Sequence, residues 1–193
     1  MALTPSTLEM TLGDLAPGFR LPTADETWVE LHEFQGKNGI LVMFICNHCP
    51  FVKHIQAPLS QLCTEYQEKG IGIVGINSND IEKYPDDSPE KMYAESKSAG
   101  YTFPYLFDES QAVAKDYKAA CTPDFFLFDS KFQLYYAGQF DSSLPENGIA
   151  VTGEDLRKAM DTLLEEKPLD FKPTPSVGCN IKWKPGNEPP YFG

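Results

Sequence analysis

The chain has 193 residues, 41% of them hydrophobic, and a formal net charge of −12. This length predicts one domain that buries about 70% of the surface of its unfolded chain. The negative charge disfavours nucleic acid and anionic membranes as partners, because both would repel the protein, and we expect neither. The first ten residues contain no basic or apolar stretch of signal-peptide type and no segment has the length of a membrane span, so we expect a cytoplasmic protein without a membrane partner.

Predicted strands and helices alternate along the first half of the chain. Two half-apolar pieces, residues 19–21 and 28–31, predict an N-terminal hairpin. The apolar run at residues 39–45 predicts a buried strand. Apolar residues spaced three and four apart across residues 50–70 predict the first long helix, and a second apolar run at residues 71–76 predicts the next buried strand.

Capping patterns predict the next elements. The acidic segment at residues 80–88 lacks the ligand spacing of a calcium loop, so we expect a solvated loop and a helix cap. Ser88 followed by Pro89 predicts the start of a helix that ends near Gly100. Residues 105–107 then predict a short strand.

The later elements follow the same alternation. Asp108 and Gln111 have the spacing of a capping box for a short helix. Two aromatic-rich runs at residues 125–128 and 132–136, joined by a turn-like connection, predict a β-hairpin. Thr152 is expected to cap a last helix that carries a single apolar stripe.

The last part of the chain differs in composition. Six prolines between residues 168 and 190 forbid long regular structure. We therefore expect one domain at residues 1–167 and a Pro-rich tail at residues 168–193 that packs on the domain or extends from it.

The segment Cys46-Asn47-His48-Cys49-Pro50 directly follows the first buried strand. Two cysteines separated by two residues at a helix start can form a disulfide, and the partial positive charge of helix N-terminal amides stabilises a thiolate. We therefore expect Cys46 to be the nucleophile and Cys49 the resolving thiol. An imidazolium at His48 would lower the pKa of Cys46 further and make the pair more oxidising than thioredoxin, with a potential above roughly −270 mV.

A CxxC motif is also half of a zinc site. A structural tetrahedral site needs a second ligand pair, and none is present in the chain. Five cysteines in a reducing compartment favour free or catalytic thiols over a disulfide framework. We therefore expect neither a metal nor a cofactor.

The order of strand, CxxC, helix, strand, helix, Thr-Pro, hairpin and helix resembles the thioredoxin fold. The opening at residues 13–21 resembles its peroxiredoxin-like redoxin branch of AhpC/TSA type, and the resemblance covers residues 13–166. Within that branch, residues 44–51, 76–80 and 176–183 are similar to bacterial thioredoxin-family proteins with a CNHCP motif. The resemblance implies a three-layer α/β fold with a central mixed sheet between helices and an N-terminal hairpin extension.

Thr122-Pro123 is the second chemical element that the resemblance implies. Thioredoxin-like proteins place a cis-proline opposite the active-site cysteines, and this dipeptide precedes the predicted hairpin. A cis bond before proline costs little. We therefore expect Thr122 and Pro123 to line a groove in which an extended substrate chain pairs.

Two departures from the peroxiredoxin pattern indicate which of two activities, disulfide exchange or peroxide reduction, the chain favours. Peroxiredoxins have threonine or serine where Cys46 stands, and their peroxidatic cysteine matches Cys49. They also use an arginine just before the predicted hairpin to hold the peroxide, and residues 119–124 contain none. Disulfide exchange, which needs the dithiol and the cis-proline, therefore ranks above peroxide reduction.

Two further cysteines are candidates for a redox role. Cys121 immediately precedes Thr122 and is expected near the groove, either as a redox thiol or as an inert buried residue. Cys179 lies in the tail beside a glycine that permits close backbone approach, so it either resolves at the active site or packs beside Trp183. Cys63 falls on the apolar side of the first long helix and is expected in the core.

The predicted function is thiol-disulfide oxidoreduction in cytosolic redox homeostasis. The partners are a protein or small-molecule disulfide and an external dithiol reductant such as a thioredoxin or glutathione system. One alternative is an antioxidant thiol peroxidase that reduces a hydroperoxide with Cys46 or Cys49, resolved by the other CxxC thiol or by Cys179. A copper- or zinc-binding protein and a redox-inactive interaction domain are further alternatives.

Overall fold

The computed structural model describes residues 3–192. Its strands are β1 (Thr4–Pro5), β2 (Arg20–Pro22), β3 (Trp28–Glu30), β4 (Gly39–Phe44), β5 (Ile71–Asn77), β6 (Tyr105–Phe107), β7 (Cys121–Thr122), β8 (Asp124–Asp129), β9 (Leu134–Gly138) and β10 (Val177–Asn180). Its α-helices are α1 (Pro50–Glu68), α2 (Pro89–Ala99), α3 (Ala112–Asp116) and α4 (Glu154–Leu164). None of the helices in this range has the length and hydropathy required to cross a bilayer.

A five-stranded mixed sheet in the order β6-β5-β4-β8-β9 forms the centre of the fold. Strands β4, β5 and β6 are parallel, and β8 and β9 are antiparallel to their neighbours. All six residues of β4 are buried because both faces of the sheet are covered. The chain leaves the carboxyl end of β4 directly into the CxxC motif, so this edge of the sheet positions the site.

Apolar side chains pack on both faces of the sheet. One face packs against α1, α2 and α4 through side chains such as Leu59, Met92 and Met160. The other packs against α3 and the β2–β3 hairpin through side chains such as Val29 and Val113. This three-layer arrangement confirms the predicted thioredoxin-like fold, and the N-terminal hairpin is confirmed by the pairing of β2 with β3.

Two predicted helix caps are wrong, because in both helices the N-cap residue is another one and a carboxylate outside the N-cap position satisfies the first amides. The N-cap of α3 is Gln111, and the Asp108 carboxylate accepts hydrogen bonds from the Ala114 amide and the Ser78 hydroxyl. The N-cap of α4 is Gly153 instead of Thr152. Here a carboxylate oxygen of Asp141 accepts hydrogen bonds from the amides of both residues at 2.6 Å. The carboxylates of Asp108 and Asp141 thus satisfy these helix starts, although neither residue is the N-cap.

The Pro-rich tail contributes one strand to the fold. β10 lies between β1 and β7 in a three-stranded antiparallel sheet. A Cβ atom at Gly178 would lie 2.0 Å from the Thr122 carbonyl oxygen, so this close pairing requires glycine. Further along, the Lys182 backbone bonds to Asp80 and to the Asn79 side chain. The tail therefore packs on the domain at residues 177–182, while the boundary at residue 168 stays a prediction.

Candidate active site

The CxxC motif forms the connection between β4 and α1. α1 begins at Pro50, and Cys49 is its N-cap residue, in an extended conformation. The first amides of a helix point back towards the N-cap and carry partial positive charge. Cys49, and not Cys46 as expected from the sequence, is therefore the sulfur beside the positive end of α1.

Three buried thiols meet at this helix start: Cys46, Cys49 and Cys179, which we call the thiol cluster. The Cys49 and Cys179 sulfurs are 3.0 Å apart, although 130 residues separate them in sequence. The Cys46 sulfur lies 3.4 Å from the Thr122 hydroxyl oxygen. Each of the three residues is at most 2% exposed, and all are present as thiols. The cluster can therefore form more than one disulfide.

Hydrogen bonds within the cluster separate the pKa values of the thiols. Hydrogen bonds from Cys179 and Cys46, aided by the Val52 amide, lower the pKa of Cys49. A hydrogen bond from the Thr122 side chain also lowers this pKa, and burial opposes the shift. The Thr122 carbonyl oxygen, 3.1 Å from the Cys49 sulfur, is the acceptor for the thiol when it is protonated. On balance Cys49 favours the thiolate because more donors than acceptors face its sulfur.

Cys46 has the opposite tendency. Its hydrogen bond to Cys49 raises the pKa of the Cys46 thiol well above the usual value, and burial and the negative charge of Asp87 raise it further. The contacts of the reduced protein therefore favour the thiolate at Cys49 over the one expected at Cys46. The physical reason is the helix start: α1 begins after Cys49, which leaves Cys46 a turn away from its amides.

His48 belongs to a hydrogen-bond network that fixes the CxxC turn. Its Nδ1 atom lies 2.7 Å from a carboxylate oxygen of Asp87, and its ring stacks on Tyr84. The hydrogen bond to Asp87 raises the pKa of His48, against the opposing effect of burial. The fully buried Asp87 also accepts from the Asn47 amide at 2.8 Å and from the Asn79 side chain at 2.7 Å.

The expected lowering of the Cys46 pKa by His48 is not present. A ring nitrogen of His48, a carboxylate oxygen of Asp87 and the Cys46 sulfur all lie within 4.8 Å of one another. Because Asp87 stands beside both groups, its negative charge offsets the imidazolium, and the pKa of Cys46 is raised. The prediction of a solvated loop at residues 80–88 is wrong at Asp87, which is fully buried. The acidic residues around it in the sequence gave no indication of this burial.

The same three groups are the candidate ligands for a metal ion. A thiolate, an imidazole and a carboxylate suit a borderline cation such as Zn²⁺. Both Asp87 oxygens, however, already accept hydrogen bonds from Asn47, His48 and Asn79, and the raised pKa of Cys46 disfavours the thiolate that a metal needs. These contacts favour a hydrogen-bonded network, and the absence of a resident metal stays a prediction.

The Thr122-Pro123 peptide bond is cis, as the resemblance implied. It brings the hydroxyl of Thr122 to Cys46 and the carbonyl oxygen of Thr122 to Cys49. The groove expected beside Thr122 is occupied by the chain itself along β7. The chain's own β10 pairs with β7 at this edge, and Cys179 lies directly opposite Thr122 in the ladder. β10 therefore takes the place of an extended substrate at this edge of β7.

Cys121 and Cys63 lie outside the thiol cluster. The Cys121 thiol donates to the Pro123 carbonyl oxygen at 3.6 Å, and burial raises the pKa of the thiol well above its usual value. Cys63 is buried in the apolar core, as predicted, where burial likewise raises its pKa. Neither environment stabilises a thiolate.

Asp124, which the sequence analysis did not single out, is a buried carboxyl group at the start of β8. Neither carboxylate oxygen has a hydrogen-bond partner among residues 3–192. Burial raises the pKa of Asp124 to about 7, and the nearby hydroxyls of Ser6 and Ser176 offset only part of this effect. The position directly after a cis-proline was its only sequence signal.

Above pH 7, the free energy of unfolding of the Asp124→Asn variant should be about 2–4 kcal/mol higher than that of the wild type. Because the folded-state pKa is raised, the folded wild type loses stability as the pH rises from about 4 to about 7, whereas asparagine does not titrate. Urea unfolding at pH 5 and pH 8 measures the difference. The exposed Asp86→Asn variant is the control, and an equal gain for Asp124→Asn at both pH values would contradict the prediction.

The fold and the site define a thioredoxin-like protein of the redox-thiol class, with a CxxC motif at a strand–helix junction opposite a cis-proline. The chain belongs to the AhpC/TSA family, whose model matches residues 12–137.

The relatives whose names describe an activity share less than 30% sequence identity with this chain. The chain is 26% identical over 121 residues to the thiol-disulfide oxidoreductase ResA of Bacillus cereus, covering 63% of this chain and 65% of ResA. It is 27% identical over 105 residues to peroxiredoxin Bcp of Escherichia coli K12, covering 54% and 62%. The chain thus spans less than two thirds of the length of these curated relatives.

A much nearer structural relative carries no functional name. The crystal structure of an uncharacterized conserved protein from Geobacillus kaustophilus has a TM-score of 0.93 and 51% sequence identity. The similarity covers 96% of this chain and 98% of that one, so it reaches into the Pro-rich tail.

Proposed function

We propose that the protein is a cytosolic thiol-disulfide oxidoreductase in which Cys49 is the attacking thiolate. The observation that carries the proposal is the contact of Cys49 with two other thiols, which lowers its pKa and provides a resolving group. A thiolate with a neighbouring thiol is what disulfide exchange requires. The proposal reverses the roles that the sequence indicated for Cys46 and Cys49.

The reaction proceeds in two exchanges. The Cys49 thiolate attacks one sulfur of a substrate disulfide, a mixed disulfide forms, and the first product leaves as a thiolate that takes up a proton. Cys46 then loses its proton and attacks the Cys49 sulfur, which releases the second product. Two electrons pass to the substrate, and a Cys46–Cys49 disulfide remains for an external dithiol, such as a thioredoxin or glutathione system, to reduce.

The raised pKa of Cys46 is compatible with its role in the second exchange. Its largest cause is the hydrogen bond that Cys46 makes to Cys49 in the reduced protein. Once the Cys49 sulfur is bonded to substrate, it no longer carries the negative charge that holds this proton. The Cys46 thiol therefore becomes easier to deprotonate at the step in which it must attack.

Hydroperoxide reduction is the second candidate. The burial of Cys46 and Cys49 favours it, because a small oxidant reaches such sulfurs more easily than a protein disulfide does. The charge distribution disfavours it. Arg20 and Arg157 are the only arginines of the chain, and they pair with Glu30 and Glu65. No arginine is available to stabilise the negative charge that develops on the leaving oxygen.

Stopped-flow oxidation of the reduced protein tests whether disulfide exchange is preferred to hydroperoxide reduction. Oxidised glutathione and hydrogen peroxide are the two oxidants. We expect glutathione disulfide to oxidise the protein faster at equal concentration, and the Cys46→Ser/Cys179→Ser double variant, which lacks both thiols next to Cys49, to retain a mixed disulfide between glutathione and Cys49. The Cys63→Ala variant, which removes a buried thiol outside the cluster, is the control. Faster oxidation by peroxide, with a sulfenic acid at Cys49, would establish the second candidate instead.

A further inference from the structure

Strand β10 is held at the active site from both edges. Thr4 of β1 pairs with Gly178, and Thr122 of β7 pairs with Cys179. The absence of a side chain at Gly178 allows β10 to approach the cis-proline loop closely, since a Cβ atom there would lie 2.0 Å from the Thr122 carbonyl oxygen. The backbone thus fixes Cys179 beside the CxxC motif.

The contact between Cys49 and Cys179 is close to that of a disulfide. The two sulfurs are 3.0 Å apart, so an approach of about 1 Å gives the S–S bond length of about 2.05 Å. Cys179 takes the position beside the cis-proline that an extended substrate would take, with its sulfur directed at the attacking thiolate. Its strand is part of the chain, so its local concentration at Cys49 is far above that of any free thiol.

The charges around Cys179 change when Cys49 is oxidised. In the reduced protein the hydrogen bond to Cys49 raises the pKa of Cys179, while Lys182 lowers it. The Lys182 ammonium group is held nearby by hydrogen bonds to the carbonyl and side-chain oxygens of Asn180. When Cys49 is in a disulfide, the largest cause of the raised pKa is gone and Lys182 remains to offset part of the effect of burial, so the Cys179 thiol loses its proton more easily than in the reduced protein.

We propose that Cys179 is a third redox residue of this site, which exchanges the Cys46–Cys49 disulfide for a Cys49–Cys179 disulfide. This inference rests on the proposed function, which generates the first disulfide. Cys179 loses its proton and its sulfur bonds to Cys49. The Cys46–Cys49 bond breaks, and Cys46 leaves as a thiolate that takes up the proton. No net oxidation occurs, but Cys46 returns to the thiol state and β10 becomes covalently tied to α1.

Tryptic mapping distinguishes the two disulfides directly. Cleavage after lysine and arginine not followed by proline leaves Cys46 and Cys49 together in residues 38–53 and Cys179 in residues 159–182. Cys121 falls in residues 119–131. A Cys46–Cys49 bond therefore stays within one peptide, whereas a Cys49–Cys179 bond joins peptides 38–53 and 159–182.

We expect wild-type protein oxidised with glutathione disulfide and quenched in acid to contain both forms. The Cys46→Ser variant should contain the 38–53 to 159–182 cross-link as its main intramolecular disulfide. Absence of that cross-link in the Cys46→Ser variant, or an equal yield of a cross-link to 119–131, overturns the inference. If wild-type protein forms a Cys46–Cys49 disulfide in the same experiment, the proposed function stands although this inference fails. Wild type with no disulfide at all contradicts both.

Two glycine-to-alanine substitutions test whether β10 positions Cys179, and neither changes that cysteine. Gly178→Ala places a methyl group against the Thr122 carbonyl oxygen, so most of the cross-link should be lost from the Cys46→Ser background. Gly18→Ala is the matched control, because a Cβ atom there meets nothing within 4 Å. Undiminished cross-linking in Gly178→Ala would show that β10 does not position Cys179. A Cys179→Ser variant, which keeps the strand, must lose the cross-link entirely.

Discussion

Replacing Cys49 by serine lowers the rate of the first thiol–disulfide exchange by at least about 10³-fold. Serine cannot supply a thiolate, and the other thiols of the cluster have raised pKa values. The Cys46→Ser/Cys179→Ser double variant should keep the first exchange and lose most of the second, because neither neighbouring thiol remains to attack Cys49. Release of glutathione from oxidised glutathione, followed under single-turnover conditions, measures both steps.

The opposite pattern of rates would contradict the assignment of Cys49 as the nucleophile. Rapid mixed-disulfide formation by Cys49→Ser and none by Cys46→Ser would make Cys46 the nucleophile, as the sequence first indicated. Equal loss in both variants would show that neither sulfur acts first alone. The Cys121→Ala variant serves as the control, because Cys121 is buried on the neighbouring strand and bonds to Pro123.

Replacing Asp87 by alanine should lower the free energy of unfolding by about 3 kcal/mol. The side chain is fully buried and accepts hydrogen bonds from Asn47, His48 and Asn79. Its removal leaves these donors without an acceptor and releases the turn that carries both CxxC cysteines. Asp86→Ala is the matched control, because that neighbouring side chain is exposed, and it should change stability by less than about 0.5 kcal/mol.

The contribution of the Asp87–His48 pair to the free energy of unfolding also depends on pH. The hydrogen bond to Asp87 raises the pKa of His48 in the folded state. Stability from the charged pair is therefore complete below the usual histidine pKa of about 6.5 and is lost as the pH rises through the raised value. The difference in stability between wild type and Asp87→Asn should narrow above neutral pH. A gap that widens with pH in urea unfolding would contradict this sign.

Local patterns in the sequence predicted most of the fold. The apolar runs of β4 and β5 and the Ser88-Pro89 helix start depend on neighbours in sequence, and all three are present. The cap at Thr152 was wrong because the carboxylate that satisfies this helix start belongs to Asp141. At α3 the carboxylate of Asp108 does bind an amide of the first turn, but the N-cap residue is Gln111.

The site was only partly predictable for the same reason. The CxxC motif and the cis-proline follow from the motif and the resemblance, but the pKa order of the thiols depends on where α1 begins and on Cys179. The contact of Cys179 with Cys49 spans 130 residues, and no periodicity carries that information. Asp87 was missed because a buried acidic residue among exposed ones has no distinct sequence pattern.

Titration of the thiolate is the most direct test of the central claim, that Cys49 and not Cys46 is the ionised sulfur. The ultraviolet absorbance of the thiolate, recorded against pH in the reduced protein, needs no substrate to reach the buried cluster. We expect a thiolate that forms well below the usual cysteine pKa of about 8.5, persists in Cys46→Ser and disappears in Cys49→Ser. A low-pH thiolate that disappears in Cys46→Ser and persists in Cys49→Ser would contradict the account.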